Sequence, residues 1–200
     1  MSTAVLAARP AVLGDALLPA SVWRDAALVM GGVLLVAAAA QIQIPLPFTP
    51  VPLSGQTFAV SLVGASLGAR RGALSLGLYL LAGACGAPFF AGGAHGVATL
   101  LGPTVGYLAG FVGAATLIGG LAERSADRKP WTAFLAFLAG SGVIFAAGVV
   151  GLMATVGLGL KEAVVQGVLP FLPGDLFKSA LAAGLLPGVW QVVRRFQRGV

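Results

Sequence analysis

The sequence predicts an all-α polytopic membrane protein with six transmembrane helices, and composition and charge spacing support this prediction. Of the 200 residues, 58% are hydrophobic and 9% are charged, whereas soluble domains carry about 25% charged residues. Three segments contain no Asp, Glu, Lys or Arg: residues 26–69, 72–122 and 130–160. Because a membrane helix needs about 20 apolar residues, the first two segments each have room for two crossings and the third for one. A last apolar stretch near the C-terminus supplies the sixth.

The first predicted helix covers about residues 24–43. The next stretch, "IPLPFTPVPLSG" (residues 44–55, the proline loop), holds four prolines within eight positions. Proline removes a backbone donor and biases the preceding residue to extended geometry, so this stretch is predicted to be an ordered extended loop. A short second helix is predicted at 56–68 and a third at 73–85, with the turn "GARRG" between them.

The fourth predicted helix covers about residues 104–122, the fifth 131–156 and the sixth 173–196. The charged turn "ERSADRKP" separates the fourth from the fifth. The predicted organisation is therefore an N-terminal cytoplasmic segment, residues 1–23, followed by a single six-helix membrane domain, residues 24–200. The N-terminal segment lacks the pattern of a cleaved signal peptide.

The basic residues orient the six-span arrangement. Ten of the twelve fall on one side of it: Arg9, Arg24, Arg70, Arg71, Arg124, Arg128, Lys129, Arg194, Arg195 and Arg198. Because Lys and Arg concentrate in cytoplasmic loops, both termini are predicted to be cytoplasmic and the protein to reside in the cell membrane. The proline loop, the loop around "AGGAHG" and the segment before the sixth helix then face outside.

Small residues recur at four-residue spacing in two predicted helices. Ala27 and Gly31 are so spaced in the first helix, and Gly106 and Gly110 in the fourth. Small residues let membrane helices approach closely. Two interpretations are open: internal packing, or, for the first helix, docking of a partner subunit.

The acid and base in "PGDLFKS" are the main candidate site. Asp175 and Lys178 begin the sixth helix, three residues apart and therefore on one face. One interpretation is a helix cap with a salt-bridge partner, because an acid in the first turn complements the helix dipole. The other is a binding pocket, because charges at membrane depth are costly and mark functional sites. In that pocket Lys178 would hold a ligand carboxylate, and Asp175 would accept hydrogen bonds from ligand N–H groups.

Further polar candidates lie at the predicted outer side. Ser54, Gln56 and Thr57 stand at the mouth of the second helix. Tyr79 and Tyr107 either direct a hydroxyl into the bundle or lie near the membrane interface.

The outer stretch "FFAGGAHG" adds a second group of candidates. Phe90 offers aromatic surface, and Gly92 and Gly93 permit close approach of the backbone to a ligand. His95, the single histidine, is either a loop residue facing water or a ligand contact.

Several classes of function are disfavoured. The basic residues lie at span ends without interleaved aromatics, so the charge of +6 does not indicate nucleic-acid binding. No catalytic residues are predicted, because no paired acids, nucleophile–histidine pair or metal cluster falls in a span. No metal site or cofactor is predicted, and Cys85, the single cysteine, is expected to pack inside the bundle.

Four motifs, in this order, resemble the BioY family, the biotin-binding membrane subunits of energy-coupling factor (ECF) transporters. They are "QIQIPLPFTPVPLSGQTF", "GARRGALSLGLYLLAGACGAPFFAGG", "LLGPTVGYLAGF" and "PGDLFK". The resemblance implies an ECF S-component-like bundle of six helices that binds biotin near the outer surface. It implies that Asp175 and Lys178 belong to the biotin site and that the proline loop helps to close it. Ala94 departs from the pattern, since relatives often have a polar or basic residue there.

The resemblance also implies partners. The small residues of the first helix would meet a transmembrane coupling subunit, and two ATPase subunits would bind ATP in the cytoplasm. The chain itself has no Gly-x-x-x-x-Gly-Lys-Ser/Thr motif. Biotin would be the transported substrate and not a cofactor, and membrane lipid would surround the bundle. Two alternatives remain: a stand-alone biotin carrier, and the same architecture with a different vitamin.

Overall fold

A computed structural model describes residues 12–17 and 20–198, and it is mainly helical. Within these ranges two short strands, β1 (Gln43–Ile44) and β2 (Leu53–Ser54), accompany the helices. The helices are α1 (Leu13–Leu17), α2 (Val22–Gln41), α3 (Gln56–Ala84), α4 (Val97–Leu100), α5 (Val105–Glu123), α6 (Pro130–Val156), α7 (Leu160–Gly167) and α8 (Leu172–Arg198). Single turns of 3-10 helix occur at Ala91–Gly93 and Ala126–Arg128. Arg9 and most of the predicted 1–23 segment lie outside the described residues.

Helix α2 starts where the sequence offers a cap. The Ser21 hydroxyl accepts a hydrogen bond from the backbone N–H of Arg24 at 3.0 Å, which satisfies one of the free donors at a helix start. One face of α2 is buried, for example at Val33 and Val36, while Leu34 on the opposite face is 54% exposed. An exposed apolar face of this kind suits contact with lipid.

The proline loop folds back on itself after α2. Its two ends pair as an antiparallel ladder, with Gln43 opposite Ser54 and Ile44 opposite Leu53. The backbone N–H of Gly55 also donates to the carbonyl of Ile42 at 2.9 Å. The predicted extended loop is therefore ordered, and it contains a two-residue ladder that the all-α prediction did not include.

Helix α3 is a hairpin of two arms, residues 56–67 and 69–84, which reverse direction at Gly68. Gly68 has φ 83° and ψ 175°, values that favour glycine. The arms touch, since a Cβ built on Gly72 would lie 3.3 Å from the Cα of Gly64. In a straight helix these residues would be about 12 Å apart along the axis. The predicted five-residue turn is thus a single glycine, and the backbone N–H of Ala69 is capped by the Glu123 carboxylate at 2.9 Å.

Glycines bring α5 close to its neighbours. A Cβ on Gly106 would lie 2.1 Å from the carbonyl oxygen of Ala147, and one on Gly110 would lie 2.9 Å from the Cα of Ile144. The packing interpretation is therefore confirmed for this pair. Ala27 and Gly31, in contrast, are exposed on α2, so internal packing is wrong for them.

Four of the described helices are long and apolar enough to cross a membrane: α2, α5, α6 and α8 up to Arg195. The two remaining predicted crossings correspond to the arms of α3, which are shorter. Cys85, just after the second arm, is exposed, so its predicted packing role is wrong.

The bundle has two distinct ends. The cavity end holds the proline loop, the segment 85–104 and α7, and its core includes Tyr79, Phe90 and Tyr107. The arginine end holds the Gly68 reversal, the turn between α5 and α6, and helix α1. Val12 and Leu13 of the N-terminal segment are buried there against α8 residues such as Trp190.

Candidate ligand-binding site

A cavity of about 180 Å³ lies at the cavity end, between the proline loop, α5, α6 and the start of α8. Its wall is mostly apolar and aromatic, with a few polar groups. The lining residues are Val51, Pro52, Leu53, Ser54, Gln56, Thr57, Phe90, Ala91, Ala94, Thr99, Thr104, Tyr107, Leu108, Phe111, Phe145, Phe171, Asp175 and Lys178. An apolar pocket with few convergent polar groups is the usual form of a small-molecule site.

Lys178 is held by neutral oxygen atoms of the proline loop and α3. Its Nζ donates to the backbone carbonyl of Ser54 at 2.6 Å and to the Thr57 hydroxyl at 3.4 Å. An ammonium group has three donors, so these two contacts leave one for a ligand on the cavity side.

Asp175 lies one turn before Lys178 on α8 and is 5% exposed. Its carboxyl group interacts with the hydroxyl of Ser141, a buried residue of α6. Asp175 and Lys178 both face the cavity but form no ion pair with each other; the ion pairs of the described residues lie at the arginine end. The interpretation of Lys178 as a salt-bridge partner for a capping Asp175 is therefore wrong.

Gln56 lies on the cavity wall at the first residue of α3, where it is 5% exposed. Its side-chain oxygen accepts from the Ser54 hydroxyl at 2.9 Å, and its side-chain nitrogen donates to the Tyr79 hydroxyl at 2.7 Å. Because both ends of the amide are bonded within the protein, its orientation is fixed before any ligand arrives.

Tyr107 also lies on the cavity wall, and its hydroxyl donates to the backbone carbonyl of Gly167 at 2.7 Å. This bond ties α5 to the end of α7. Its ring packs at a centroid distance of 6.4 Å from that of Phe171. Of the two positions considered for the tyrosine hydroxyls, the structure has both Tyr79 and Tyr107 inside the bundle.

Four residues of the segment after α3 were predicted to contact a ligand, and one of them lines the cavity. Phe90 is 1% exposed and lies on the cavity wall. Gly92, Gly93 and His95 do not line the cavity, because the turn at 91–93 directs Ala91 and Ala94 towards it instead. His95 is exposed and its Nδ1 lies 3.1 Å from the carbonyl oxygen of Gly93. Contacts from these three residues to a ligand stay a prediction.

Sequence reasoning included Phe90 and Tyr107 but missed three further aromatic residues of the wall, Phe111, Phe145 and Phe171. A signal for one of them was present, because Phe111 follows Tyr107 by four residues in the predicted fourth helix and such pairs share a helix face. Phe171 precedes both the predicted sixth helix and α8, and neither it nor Phe145 carries a comparable signal.

This chain matches a known protein family and several named relatives. The family model described as BioY family matches residues 9–195. A protein of Rhizobium etli named "Biotin transporter BioY" is 38% identical over 147 residues, which cover 70% of this chain and 78% of that protein. A Thermotoga maritima protein of the same name is 40% identical over 141 residues, covering 70% and 81%. A "Probable biotin transporter BioY" of Pyrococcus horikoshii is 39% identical over 159 residues, covering 80% and 91%.

The fold has a solved counterpart. A crystal structure of the S-component for biotin from an ECF-type ABC transporter matches with a TM-score of 0.75 and 24% sequence identity. The match covers 88% of this chain and 92% of that one. The arrangement of helices around the cavity is therefore that of a known membrane fold.

Proposed function

This chain belongs to the BioY family, and from that premise we propose that it is the substrate-binding membrane subunit of a biotin uptake system. The observation that supports this best is the cavity at the start of α8. It places Asp175 and Lys178 on one wall, with no direct ion pair between them. The curated relatives are named as transporters, and the chain is a transport protein and not an enzyme.

The cavity residues suit the chemistry of biotin. Biotin carries a ureido ring with two N–H donors, a thioether ring and a carboxylate on an aliphatic chain. Asp175 supplies an acceptor for the N–H groups, and Lys178 supplies a cationic donor for the carboxylate. Phe90, Phe111 and Phe145 provide apolar surface for the rings and the chain. Charge-assisted hydrogen bonds in such an enclosed setting are stronger than neutral ones.

Six crossings, with both termini in the cytoplasm of a cell-membrane protein, are the topology that we propose. The two arms of α3 complete the count with the four long helices. The arginine end then faces the cytoplasm, since the helix ends and turns there carry most of the basic residues. The cavity end faces outside, where a vitamin enters.

We further propose that an ECF module supplies the energy, through a transmembrane coupling subunit and two ATPase subunits. The support is the exposed position of Ala27 and Gly31 on α2, where small residues allow a partner helix to approach closely. A stand-alone carrier remains the second candidate.

Binding and uptake assays test these proposals. The purified protein in lipid nanodiscs should bind radiolabelled biotin, and excess thiamine or riboflavin should not displace it. Displacement by another vitamin, or no biotin binding at all, would contradict the assignment of the substrate. Sustained uptake by vesicles that contain this chain alone would instead favour the stand-alone carrier.

A further inference from the structure

Tyr79 is a buried residue that contacts the residues of the cavity wall on the side away from the cavity. It is 0% exposed and lies on the second arm of α3, outside the cavity lining. Its hydroxyl accepts from the side-chain nitrogen of Gln56 at 2.7 Å and donates to the backbone carbonyl of Phe89 at 3.2 Å. One hydroxyl group therefore joins the start of α3 to the segment that follows the same helix.

The direction of these hydrogen bonds is determined by the neighbouring groups. The backbone carbonyl of Phe89 can only accept, so the single proton of the Tyr79 hydroxyl is directed to it. The Tyr79 oxygen then accepts from the side-chain nitrogen of Gln56, and the oxygen of that amide accepts from the Ser54 hydroxyl. We call this series of hydrogen bonds, Ser54–Gln56–Tyr79–Phe89, the tyrosine latch.

Packing between aromatic rings also holds Tyr79 against the cavity wall. The Tyr79 ring meets the Phe90 ring edge-on, with centroids 5.6 Å apart and an interplanar angle of 78°. Gly83, one turn further along α3, leaves the space for Phe90, since a Cβ there would lie 2.3 Å from its ring. Phe90 and Gln56, both on the cavity wall, are thus held by the same buried residue.

We propose that Tyr79 is a positioning residue whose hydroxyl makes the two outer walls of the cavity, residues 54–57 and 89–94, open and close as one unit. The proposal concerns the same cavity and, for its effect on ligand, rests on the function proposed above. The hydroxyl holds both walls closed over the cavity, so they open together when its two hydrogen bonds break, and a ligand leaves through that common opening. Loss of the hydroxyl therefore speeds dissociation more than it alters association.

The substitution Tyr79→Phe keeps the ring and removes the latch. Ser75→Ala is the matched control, because Ser75 is 0% exposed on the same arm and its hydroxyl donates to the carbonyls of Val29 and Arg71, away from the cavity. Gln41→Met is a second comparison. Gln41 contacts the carbonyls of Pro88 and Phe90 but makes no bond to the start of α3.

Hydrogen exchange of the ligand-free protein in nanodiscs tests the coupling without any substrate. Useful reporters are the backbone N–H groups of Gly55 and Phe90, which are bonded to the carbonyls of Ile42 and Ala94. In Tyr79→Phe both walls should exchange faster. In Gln41→Met only residues 88–94 should do so, and in Ser75→Ala neither. Acceleration of one wall alone in Tyr79→Phe would overturn the proposal.

Exchange in the unmodified protein provides a test that does not depend on the variant folding. If the walls open as one unit, the two reporters share one opening free energy and respond equally to denaturant. Unequal responses would contradict a common opening.

Biotin kinetics then test the consequence for the ligand. Tyr79→Phe should raise the dissociation rate constant about five- to tenfold, which corresponds to the loss of one hydrogen bond, and change the association rate constant less than about twofold. Ser75→Ala should change neither. An unaltered dissociation rate in Tyr79→Phe would overturn the proposal, whereas absence of biotin binding in the unmodified protein would contradict the proposed function and leave the exchange test of the latch in force.

Discussion

The two ends of the bundle handle charge in opposite ways. At the arginine end, Arg71 contacts Asp15 at 2.8 Å and Asp25 at 3.1 Å. Arg24 contacts the same two acids, at 3.4 Å and 2.8 Å. Two acids and two bases thus neutralise one another where α1, α2 and α3 meet.

At the cavity end one acid and one base lie on the same helix face and attract each other, yet no direct ion pair joins them and their nearest polar partners are neutral. Lys178 is bonded to the Ser54 carbonyl and the Thr57 hydroxyl, and Asp175 interacts with Ser141. Neutral partners fix the position of a charge without cancelling it. We infer from this comparison that charges paired directly with each other join helices. Charges whose hydrogen-bond partners are neutral groups are instead available to bind a ligand.

Lys178→Ala should give the largest effect, because it removes the cation that faces the cavity. We expect biotin affinity to fall by about 2–5 kcal/mol, the usual cost of deleting one partner of a buried charged contact. Equilibrium binding of labelled biotin measures it. Lys161→Ala is the control, since Lys161 is an exposed lysine of α7 that does not line the cavity. Equal biotin affinity in the two variants would contradict the assignment of Lys178 as a charge available to the ligand.

Asp175→Asn should weaken biotin binding by about 1.5–3 kcal/mol, the range for a hydrogen bond to a charged group. The amide keeps the shape of the side chain and removes its charge. Thermal stability without biotin should not fall, since the cost of burying the Asp175 charge outweighs its attraction to Lys178. A loss of stability with unchanged biotin affinity would assign Asp175 to the structure and not to the site.

Arg71→Gln, at the arginine end, should lower thermal stability and leave biotin affinity unchanged, the reverse of what we expect for Asp175→Asn. It removes the contacts to Asp15 and Asp25, whose side chains are 29% and 45% exposed. Pairs this exposed are screened by solvent and contribute little, so we expect a small fall in thermal stability. Biotin affinity should be unchanged. Weaker binding in Arg71→Gln would show that the two ends are coupled.

Asp127 should give the smallest effect, a change in the pH dependence of stability. It lies in the turn between α5 and α6, where it accepts from the indole N–H of Trp190. Burial raises the pKa of Asp127 above its ordinary 3.8, against the opposing influences of Trp190 and Arg128. A raised pKa in the folded state stabilises the protein at low pH, and this contribution is lost as the pH rises through the folded-state value.

Asp127→Asn cannot ionise, yet it keeps an acceptor for Trp190. The difference in melting temperature between the unmodified protein and this variant should therefore change in favour of the variant as the pH rises from about 4. Melting curves across the acidic range measure it. A constant difference would contradict the raised pKa.

The long helices and the charge pair could be predicted from the sequence, because both depend on local pattern. The predicted sixth helix, 173–196, lies within α8, and Asp175 and Lys178 do share the cavity wall. The partner of Lys178 could not be predicted, since the Ser54 carbonyl is 124 residues away along the chain. A contact to a backbone oxygen leaves no residue-type signal in the sequence.

The loop residues illustrate the same limit. Glycines at 92 and 93 predicted a close approach of the backbone to a ligand, but the backbone of their turn directs Ala91 and Ala94 to the cavity instead. Tyr79 was an open choice between two locations, because a tyrosine suits both a buried bond and a membrane interface. Only the tertiary arrangement of the two arms of α3 decides between them.

The single-glycine reversal of α3 has a consequence for biogenesis. Neither arm has the roughly 20 residues that a lone spanning helix requires, and Arg70 and Arg71 follow the bend at once. We expect the translocation machinery to release the two arms into lipid together, as a preassembled pair whose short segments shield each other's backbone. Mutation of Gly68 should therefore reduce the membrane integration of nascent chains. The mature protein that does integrate should still bind the vitamin.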